Sequence, residues 1–305
     1  MITRRQFSRA ALACVVVPAL SARWSTASPV GGVRLGVQTY SFRELTTQGT
    51  PDAVNVVIAS MKACGVDECE LWSPQIELAA PAGRNATPDA QAKAREALRA
   101  WRLSTGPAYY QGVRSRFAAA GMSIYAYNLS FNESFTDDEI ARGFEAAKAL
   151  GAEAITASTT VRVARRLVPF AEKHRLPVGM HNHSNLTDPN EFATPQSFTT
   201  ALAMSPWFRI NLDIGHFTAA DFDALAFLDA HHERITNLHL KDRKKRQGDN
   251  VPWGSGDTPI REVLAWLTRT KSPIRAYVEY EYPGTRGAVA EVTACVNFAK
   301  QALTA

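Results

Sequence analysis

Residues 208–216 read FRINLDIGH, and two later stretches have the same pattern: ITNLHLKD at 235–242 and IRAYVEYE at 274–281. Each stretch is a short apolar run of strand length that ends on polar or charged side chains. Helical sequence separates the stretches, so a strand is followed by a helix and then by the next strand. This alternation predicts βα units whose strands lie parallel in one sheet.

The same alternation extends over the whole chain after Gly32. The predicted strands are 33–40, 66–71, 122–128, 152–157, 177–181, 208–213, 235–240 and 274–280. The predicted helices are 51–63, 88–120 with a break at Gly106-Pro107, 136–150 after a capping box at Thr136 and Glu139, 161–174, 195–204, 221–231, 259–270 and 289–303. Eight such units without a break in composition favour a closed (β/α)8 TIM barrel.

The rival fold is an open, doubly wound sheet, which would want a glycine-rich phosphate-binding turn after an early strand. The first turn here is Tyr40-Ser41-Phe42-Arg43-Glu44, and no G-x-G-x-x-G follows any predicted strand. The chain has 305 residues, of which 46% are hydrophobic, and roughly 250 residues is a common size for one barrel. We therefore predict an α/β fold with a single TIM-barrel domain over residues 28–305.

Residues 1–27 are interpreted as an export signal rather than as part of the fold. Arg4 and Arg5 form a basic pair ahead of the apolar run Ala10–Leu20, and small residues suited to cleavage follow. The pattern resembles a twin-arginine signal, which implies a periplasmic or otherwise exported protein. An ordinary secretory signal or an amphipathic helix is the alternative. No apolar run reaches the ~20 residues that a membrane span needs.

The net positive charge of the chain comes mostly from this segment. Residues 1–27 hold four arginines and no acid, so the formal charge falls from +5 for the chain to +1 for residues 28–305. A nearly neutral body is a poor electrostatic partner for nucleic acid. The body keeps Cys64, Cys69 and Cys295; we expect buried free thiols, with a Cys64–Cys69 disulfide as the alternative.

Metal-type ligands end four consecutive predicted strands, and a TIM barrel builds its functional site at these carboxyl ends. Strand five ends at His181, strand six at Asp213, strand seven at His239 and strand eight near Glu279. Neighbouring strands lie about 4.8 Å apart, so side chains at their ends converge on one ion. Nitrogen and oxygen donors without a thiolate suit one divalent ion such as Mn, Co, Zn, Fe or Mg.

The stretches 212–216, 239–242 and 278–281 resemble the strand-six, strand-seven and strand-eight motifs of the xylose-isomerase-like barrel superfamily, which includes the sugar phosphate isomerases and epimerases. The resemblance implies that Asp213, His239 and Glu279 bind a metal ion and that His216 lies beside the substrate hydroxyls. It also implies a glutamate at the end of strand five, as both ligand and base. His181 stands there instead, so the ion is expected to be kept while the reaction type is left open.

What the resemblance implies first is a metal-dependent sugar isomerase or epimerase that removes a proton next to a metal-bound carbonyl, with Glu279, His181 and Lys241 as catalytic candidates. The alternative is a metal-dependent lyase, dehydratase or hydratase on a keto-sugar of the 3-keto-glycoside or inosose kind. His181 favours it, as does Lys241, because a lysine at a strand end can polarise a carbonyl. A third hypothesis is a non-catalytic carbohydrate-binding barrel. The expected partner is a small carbohydrate. The sequence does not determine which sugar it is, which ion is native, or the oligomeric state.

Further residues near the predicted strand ends are candidate substrate contacts: His216, His183, Glu70 and Trp253. The basic run 241–246 is interpreted as a solvated loop, with binding of a phosphate or an acidic sugar as the alternative. Residues 181–183 spell the HNH nuclease motif, but that nuclease needs a small metal-binding hairpin and not a barrel strand. A trinuclear zinc site of the DNA-repair kind is not expected, because Asn128 and Asn250 stand where it would need histidines.

Replacing both Arg4 and Arg5 by lysine is expected to stop export, because a twin-arginine signal is read as paired arginines and not as positive charge alone. Fractionation of cells expressing the full chain, with the unaltered chain as the control, measures delivery to the periplasm. Undiminished delivery of the double variant would show that the segment is not a twin-arginine signal.

Overall fold

The structure, a computed structural model, describes residues 29–47, 50–77 and 86–305. The predicted export signal lies outside the described residues and stays a prediction. Within them, eight parallel strands form a closed barrel with the helices outside, which confirms the predicted TIM barrel. Among the described helices, none is long and apolar enough to cross a membrane.

The strands follow one another around the barrel in the order of the sequence. They are β1 Leu35–Gln38, β2 Glu68–Trp72, β3 Ser123–Asn128, β4 Ala154–Ser158, β5 Val178–His181, β6 Phe208–Asp213, β7 Ile235–Leu240 and β8 Arg275–Val278. β8 pairs with β1 and closes the barrel. The register brings the polar strand ends together: Asp213 pairs with His239, and His181 pairs with Asn211.

The helices lie between the strands as predicted, with one addition. They are α1 Ala53–Cys64, α2 Pro88–Ser104, α3 Pro107–Ala119, α4 Asp137–Leu150, α5 Val161–His174, α6 Pro195–Leu202, α7 Ile214–Ala219, α8 Ala224–His231, α9 Ile260–Thr270 and α10 Ala288–Thr304. The break at Gly106-Pro107 separates α2 from α3, and α4 begins at the capping box of Thr136 and Glu139. The short helix α7 was not predicted from the sequence.

Two strands end earlier than predicted. β1 ends at Gln38 and passes into a 3-10 turn over Thr39–Phe42. The Gln38 side chain accepts a hydrogen bond from the Tyr40 N–H at the start of this turn. β8 ends at Val278, so Glu279 is the first residue beyond the strand. The polar residues that follow these two strands therefore lie outside the strand pairing, at the carboxyl end of the barrel.

The barrel interior contains charged and aromatic side chains that hydrogen-bond to one another. Near the amino ends of the strands, the Glu68 carboxylate accepts hydrogen bonds from the Tyr277 hydroxyl at 2.8 Å and from Arg275 Nε at 3.3 Å. The Arg275 guanidinium lies 3.6 Å from the centre of the Tyr125 ring. Aliphatic strand residues such as Leu71 and Ile155 belong to the core that strands and helices share.

The three cysteines of the barrel are buried free thiols, so the expectation of no disulfide is confirmed. Burial raises the pKa of Cys295 to about 12 and that of Cys69 well above its usual value. These thiols are therefore protonated at neutral pH, and they act as packing residues.

Gly36 in β1 is expected to tolerate no side chain. A methyl group there would meet the Glu68 carbonyl oxygen and lie 2.5 Å from the Tyr277 ring, and both neighbours belong to packed strands. Gly36→Ala should therefore lower the free energy of unfolding by about 1–3 kcal/mol. Gly112→Ala in α3 is the matched control, since nothing lies within 4 Å of the added atom.

Gly112→Ala should be neutral or stabilising by up to about 1 kcal/mol, because alanine is the better helix former. Urea unfolding measures both variants. An equal effect of the two substitutions would contradict the packing of β1 against β2 and β8.

Candidate active site

Glu70 of β2 forms the floor of the site and has no exposed surface. Its oxygens accept hydrogen bonds from five side chains on four other strands: Gln38 Nε2 at 2.6 Å, Asn237 Nδ2 at 2.8 Å, His239 Nε2 at 2.9 Å, Asn128 Nδ2 at 3.0 Å and Asn211 Nδ2 at 3.4 Å. A buried carboxylate is stable only with such partners. Glu70 therefore links β2 to β1, β3, β6 and β7.

Glu70 also fixes the orientation of His239. An ionised carboxylate only accepts, so His239 Nε2 carries the proton of this bond, while Nδ1 lies 3.2 Å from Glu279 Oε2. Burial lowers the pKa of His239, but the flanking carboxylates of Glu70 and Glu279 outweigh burial and raise it well above its usual value. Because a metal ion and a proton compete for Nδ1, metal affinity should fall as the pH falls.

Four ligand atoms from the ends of β5 to β8 face one another above this floor. They are His181 Nε2, Asp213 Oδ2, His239 Nδ1 and Glu279 Oε2, and the four residues place their ligand atoms within 4.8 Å of one another. All four atoms are buried, and their nearest polar neighbours are one another and Lys241: His181 Nε2 lies 3.4 Å from Asp213 Oδ2, and His239 Nδ1 lies 3.2 Å from Glu279 Oε2. Two nitrogens and two oxygens fit a divalent cation. This is the one such group found among the described residues.

In His181 and Asp213, the second polar atom of the side chain makes a hydrogen bond elsewhere, so the first remains available to the group. His181 Nδ1 lies 3.2 Å from Ser158 Oγ, which leaves Nε2 for the group. Asp213 Oδ1 accepts from the His216 N–H and caps α7, which leaves Oδ2. The Asn182 side chain accepts from the Asp213 N–H at 2.9 Å and donates to its carbonyl at 3.1 Å. The middle residue of the HNH sequence, Asn182, therefore links β5 to the end of β6 in the barrel.

Lys241, the first residue after β7, places a buried ammonium beside the same group. Its Nζ lies 2.9 Å from Asp213 Oδ2 and 2.8 Å from Glu279 Oε2, and it donates a hydrogen bond to Glu281. The first two contacts are close ion pairs, so Asp213 Oδ2 and Glu279 Oε2 have the Lys241 charge directly beside them. Burial lowers the pKa of Lys241, but the three carboxylates outweigh burial and raise it well above its usual value.

The charge of Lys241 acts on its neighbours in turn. Burial raises the pKa of Asp213, but Lys241 and the nearby histidines outweigh burial and hold it well below its usual range. Burial and the Lys241 ammonium together hold the pKa of His216 well below its usual value, so its ring is neutral. His216 Nδ1 accepts from the Arg243 guanidinium at 2.7 Å, so Nε2 carries the proton. His216 can therefore donate a hydrogen bond to a ligand oxygen.

A cavity of about 150 Å³ opens over these groups. Its wall is polar apart from two aromatic rings and consists of Gln38, Tyr40, Trp72, Asn128, Ser130, Ser158, His181, His183, His216, His239, Lys241, Glu279 and Glu281. The Tyr40 and Trp72 rings pack edge to face with centroids 5.0 Å apart. Rings of this kind, with a polar group at one end, suit the apolar face of a sugar.

Two predicted substrate contacts lie outside this wall. Glu70 is fully buried, is hydrogen-bonded to His239 and does not line the cavity. Trp253 packs on Phe298 of α10, with ring centroids 5.8 Å apart. Its loop folds back because the Asp242 carboxylate accepts hydrogen bonds from three backbone N–H groups, those of Gly254, Gly256 and Thr258.

The basic run 241–246 is only partly solvated, which corrects the sequence interpretation. Lys244, Lys245 and Arg246 are exposed, whereas Lys241 and Arg243 are buried. The Arg243 guanidinium is held by the Gly248 carbonyl oxygen, by Ser184 Oγ and by His216. The buried members of the run therefore build the site.

Glu281 and Tyr40 are cavity residues that the sequence analysis did not assign. Residues two apart on an extended chain point to the same side, so the pair Glu279 and Glu281 carried a signal for two carboxylates in one cavity. Tyr40 follows β1, which ends two residues earlier than predicted. Gln38, the last residue of β1, also lines the cavity and donates a hydrogen bond to Glu70.

The protein belongs to the xylose isomerase-like TIM barrel family, whose sequence pattern it matches over residues 58–295. A curated relative, L-ribulose-5-phosphate 3-epimerase UlaE of Salmonella paratyphi C, is 35% identical over 66 residues, which is 22% of this chain and 23% of that protein. The chain therefore matches less than a quarter of the length of such relatives.

Two solved structures extend the likeness over the barrel. The 3-keto-D-glucoside 4-epimerase YcjR of E. coli has a TM-score of 0.61 at 12% identity, over 88% of this chain and 99% of that one. The probable 3-DHS dehydratase AsbF of Bacillus anthracis has a TM-score of 0.59 at 15% identity, over 87% and 97%. Identities this low show a shared fold and leave the reaction to be argued from the site.

Asp213→Ala is expected to lose the metal ion while the barrel stays folded, because the side chain stands at the end of β6 and supplies one of four ligand atoms. The lost helix cap should cost about 0.5–2 kcal/mol, which is too little to unfold a domain of this size. Elemental analysis after loading with Mn, with circular dichroism for the fold, measures both effects.

His183→Ala is the matched control for this experiment. His183 lines the same cavity but supplies no atom to the four-residue group, so the variant should retain as much metal as the unaltered protein. Stoichiometric metal in Asp213→Ala, or equal loss in both variants, would contradict the ligand assignment.

Proposed function

We propose that this protein is a divalent-metal-dependent sugar isomerase or epimerase that moves a proton at the carbon beside a sugar carbonyl. The observation that carries the proposal is the position of Lys241 and Glu281 in one small cavity, directly beside the buried four-residue group that could hold a metal ion. Membership of the xylose isomerase-like family supports it. So does the partial match to an epimerase.

The residues His181, Asp213, His239 and Glu279 would hold the ion. When bound, a divalent ion polarises a carbonyl oxygen and so makes the neighbouring C–H more acidic. Mn, Co, Zn, Fe and Mg all suit a set of nitrogen and oxygen donors, and the native ion is for experiment to decide.

Two carboxylates of the cavity wall are candidate bases. Burial raises the pKa of Glu279, but Lys241 and His239 outweigh burial and hold it well below its usual value, which makes Glu279 a weak base. Glu281 is less enclosed, with 20% of its side chain exposed, and it supplies no atom to the four-residue group. We therefore assign removal of the proton to Glu281, and we keep Glu279 as a ligand.

Lys241 and the histidines complete the site. The Lys241 ammonium is charged and held in place by three carboxylates, so it can donate to the carbonyl oxygen and stabilise the negative charge that develops there. His216 Nε2–H and the His183 ring face the cavity and would bind hydroxyl groups. Tyr40 and Trp72 would pack on the sugar ring.

A carbon–oxygen lyase acting on a keto-sugar is the second candidate, and one observation favours it. His181 stands at the end of β5, where the family resemblance implies a glutamate, so one face of the substrate lacks the expected carboxylate base. An epimerase needs proton transfer on both faces, whereas an elimination needs one base and one acid. Glu281 would take the proton, and the Lys241 ammonium would protonate the departing hydroxyl, which leaves as water.

We also propose that the protein works outside the cytoplasm, on the strength of the signal-like sequence of residues 1–27. The twin-arginine pathway carries folded proteins, which suits an enzyme that binds its metal before export. A purely carbohydrate-binding role is disfavoured, because binding alone needs no buried ammonium between three carboxylates.

Exchange of solvent deuterium into free and 3-keto sugars by the Mn-loaded protein tests the reaction. An isomerase or epimerase returns a product of unchanged composition, whereas a lyase returns one that is lighter by a water molecule. Glu281→Gln should lower the exchange rate by about 10²–10⁴-fold and keep the metal, because only a base is lost. Glu279→Gln should lose metal as well as rate.

Mass spectrometry gives the exchange rate, and elemental analysis gives the metal content of each variant. Exchange by Glu281→Gln at the unaltered rate would remove Glu281 from the mechanism. Absence of exchange with every sugar in the unaltered, metal-loaded protein would contradict the proposed reaction itself.

A further inference from the structure

A second and larger cavity lies beside the active-site cavity. Its volume is about 310 Å³, against about 150 Å³ for the first. Ser158 and His183 line both, so the two cavities share a wall at the ends of β4 and β5. Pockets that enclose organic ligands measure about 300–1,000 Å³. The first cavity alone is below that range.

The wall of the second cavity is held in place by contacts of its own. Thr160 and Glu191 form a β-bridge, and the Val161 N–H donates to the Asn190 carbonyl at 2.7 Å. Glu191 Oε1 lies 2.7 Å from His183 Nδ1 and so orients a ring that lines both cavities. The second cavity is therefore a formed part of the fold.

The chemistry of this wall suits hydroxyl groups. It contains Asn132, Thr159 and Thr160 with the carboxylates of Glu133, Asp188 and Glu191, and Phe131 supplies an aromatic surface. Thr159 is more than nine-tenths buried, and its hydroxyl has no hydrogen-bond partner. Carboxylates, amides and hydroxyls accept from and donate to sugar hydroxyls, whereas a phosphate would meet like charge.

The cations near the two cavities are already engaged. Lys241 contacts three carboxylates, and the Arg243 guanidinium is held by Gly248, Ser184 and His216. Among the described residues that line the second cavity there is no lysine or arginine. The exposed Arg162 beside this wall already pairs with Glu133 at 4.0 Å, so a phosphate in the second cavity would meet three carboxylates and no cation among the described lining residues.

We propose that the substrate is a neutral saccharide of two units, a disaccharide or other glycoside, and not a sugar phosphate. The reacting sugar occupies the first cavity, and the unit attached to it occupies the second. This inference rests on the proposed function for the identity of the reacting unit, but the binding of the second unit is independent of the reaction.

Calorimetric binding to the Mn-loaded protein tests the second cavity without turnover. The probes are sucrose, trehalose, cellobiose and lactose, their component monosaccharides, and glucose 6-phosphate. At least one disaccharide should bind 10-fold or more tightly than its monosaccharides, and glucose 6-phosphate should bind no more tightly than glucose. Glu133→Trp and Asp188→Trp, at two exposed positions of the wall, should abolish the advantage of the disaccharide.

Glu145→Trp is the matched control, because Glu145 is a half-exposed glutamate of α4 that pairs with Arg142 and lies outside the wall. It should preserve the disaccharide advantage. Equal affinities for monosaccharides and disaccharides, tighter binding of the phosphate, or an advantage that survives both blocking variants would each overturn the inference. A disaccharide advantage without deuterium exchange would leave the second cavity assigned and contradict only the proposed reaction.

Discussion

The carboxylate of Glu70 is the group on which the site depends. It is fully buried and accepts hydrogen bonds from side chains of β1, β3, β6 and β7, so its position is fixed from several sides of the barrel. Its bond to His239 Nε2 directs Nδ1 toward the other ligand atoms. Metal-binding histidines commonly donate their second N–H to a carboxylate in this way, and loss of that carboxylate typically costs 10–100-fold in metal affinity or activity.

Charge balance explains why the group above Glu70 calls for a cation. Asp213, Glu279 and Glu281 converge there, and Lys241 is the ammonium that meets all three. The carboxylates hold the lysine charged, and the lysine keeps Asp213 ionised despite burial. A divalent ion would add the positive charge that the remaining negative charge requires, and the four candidate ligand atoms already face one another there.

The barrel and the four ligands could be predicted because parallel strands end at one face, so donors at four successive strand ends had to meet. Depth along a strand is harder to predict. The alternation of side chains along β2 places Glu70 inside the barrel. Its depth beneath the site depends on its hydrogen bonds to Asn211 and Asn237 on other strands, which the sequence does not show. The helix α7 depends on a cap that Asp213 supplies from the preceding strand. Trp253 was misplaced because its loop is shaped by backbone contacts with Asp242.

The central claim is that the four-residue group is a metal site whose geometry Glu70 sets. A crystal of the Mn-loaded protein, measured at the manganese absorption edge, locates the ion by its anomalous signal. The account predicts one peak in contact with His181, Asp213, Glu279 and His239 Nδ1, with Nε2 still bonded to Glu70. A peak elsewhere, no peak, or ligation through His239 Nε2 with Glu70 released would contradict it.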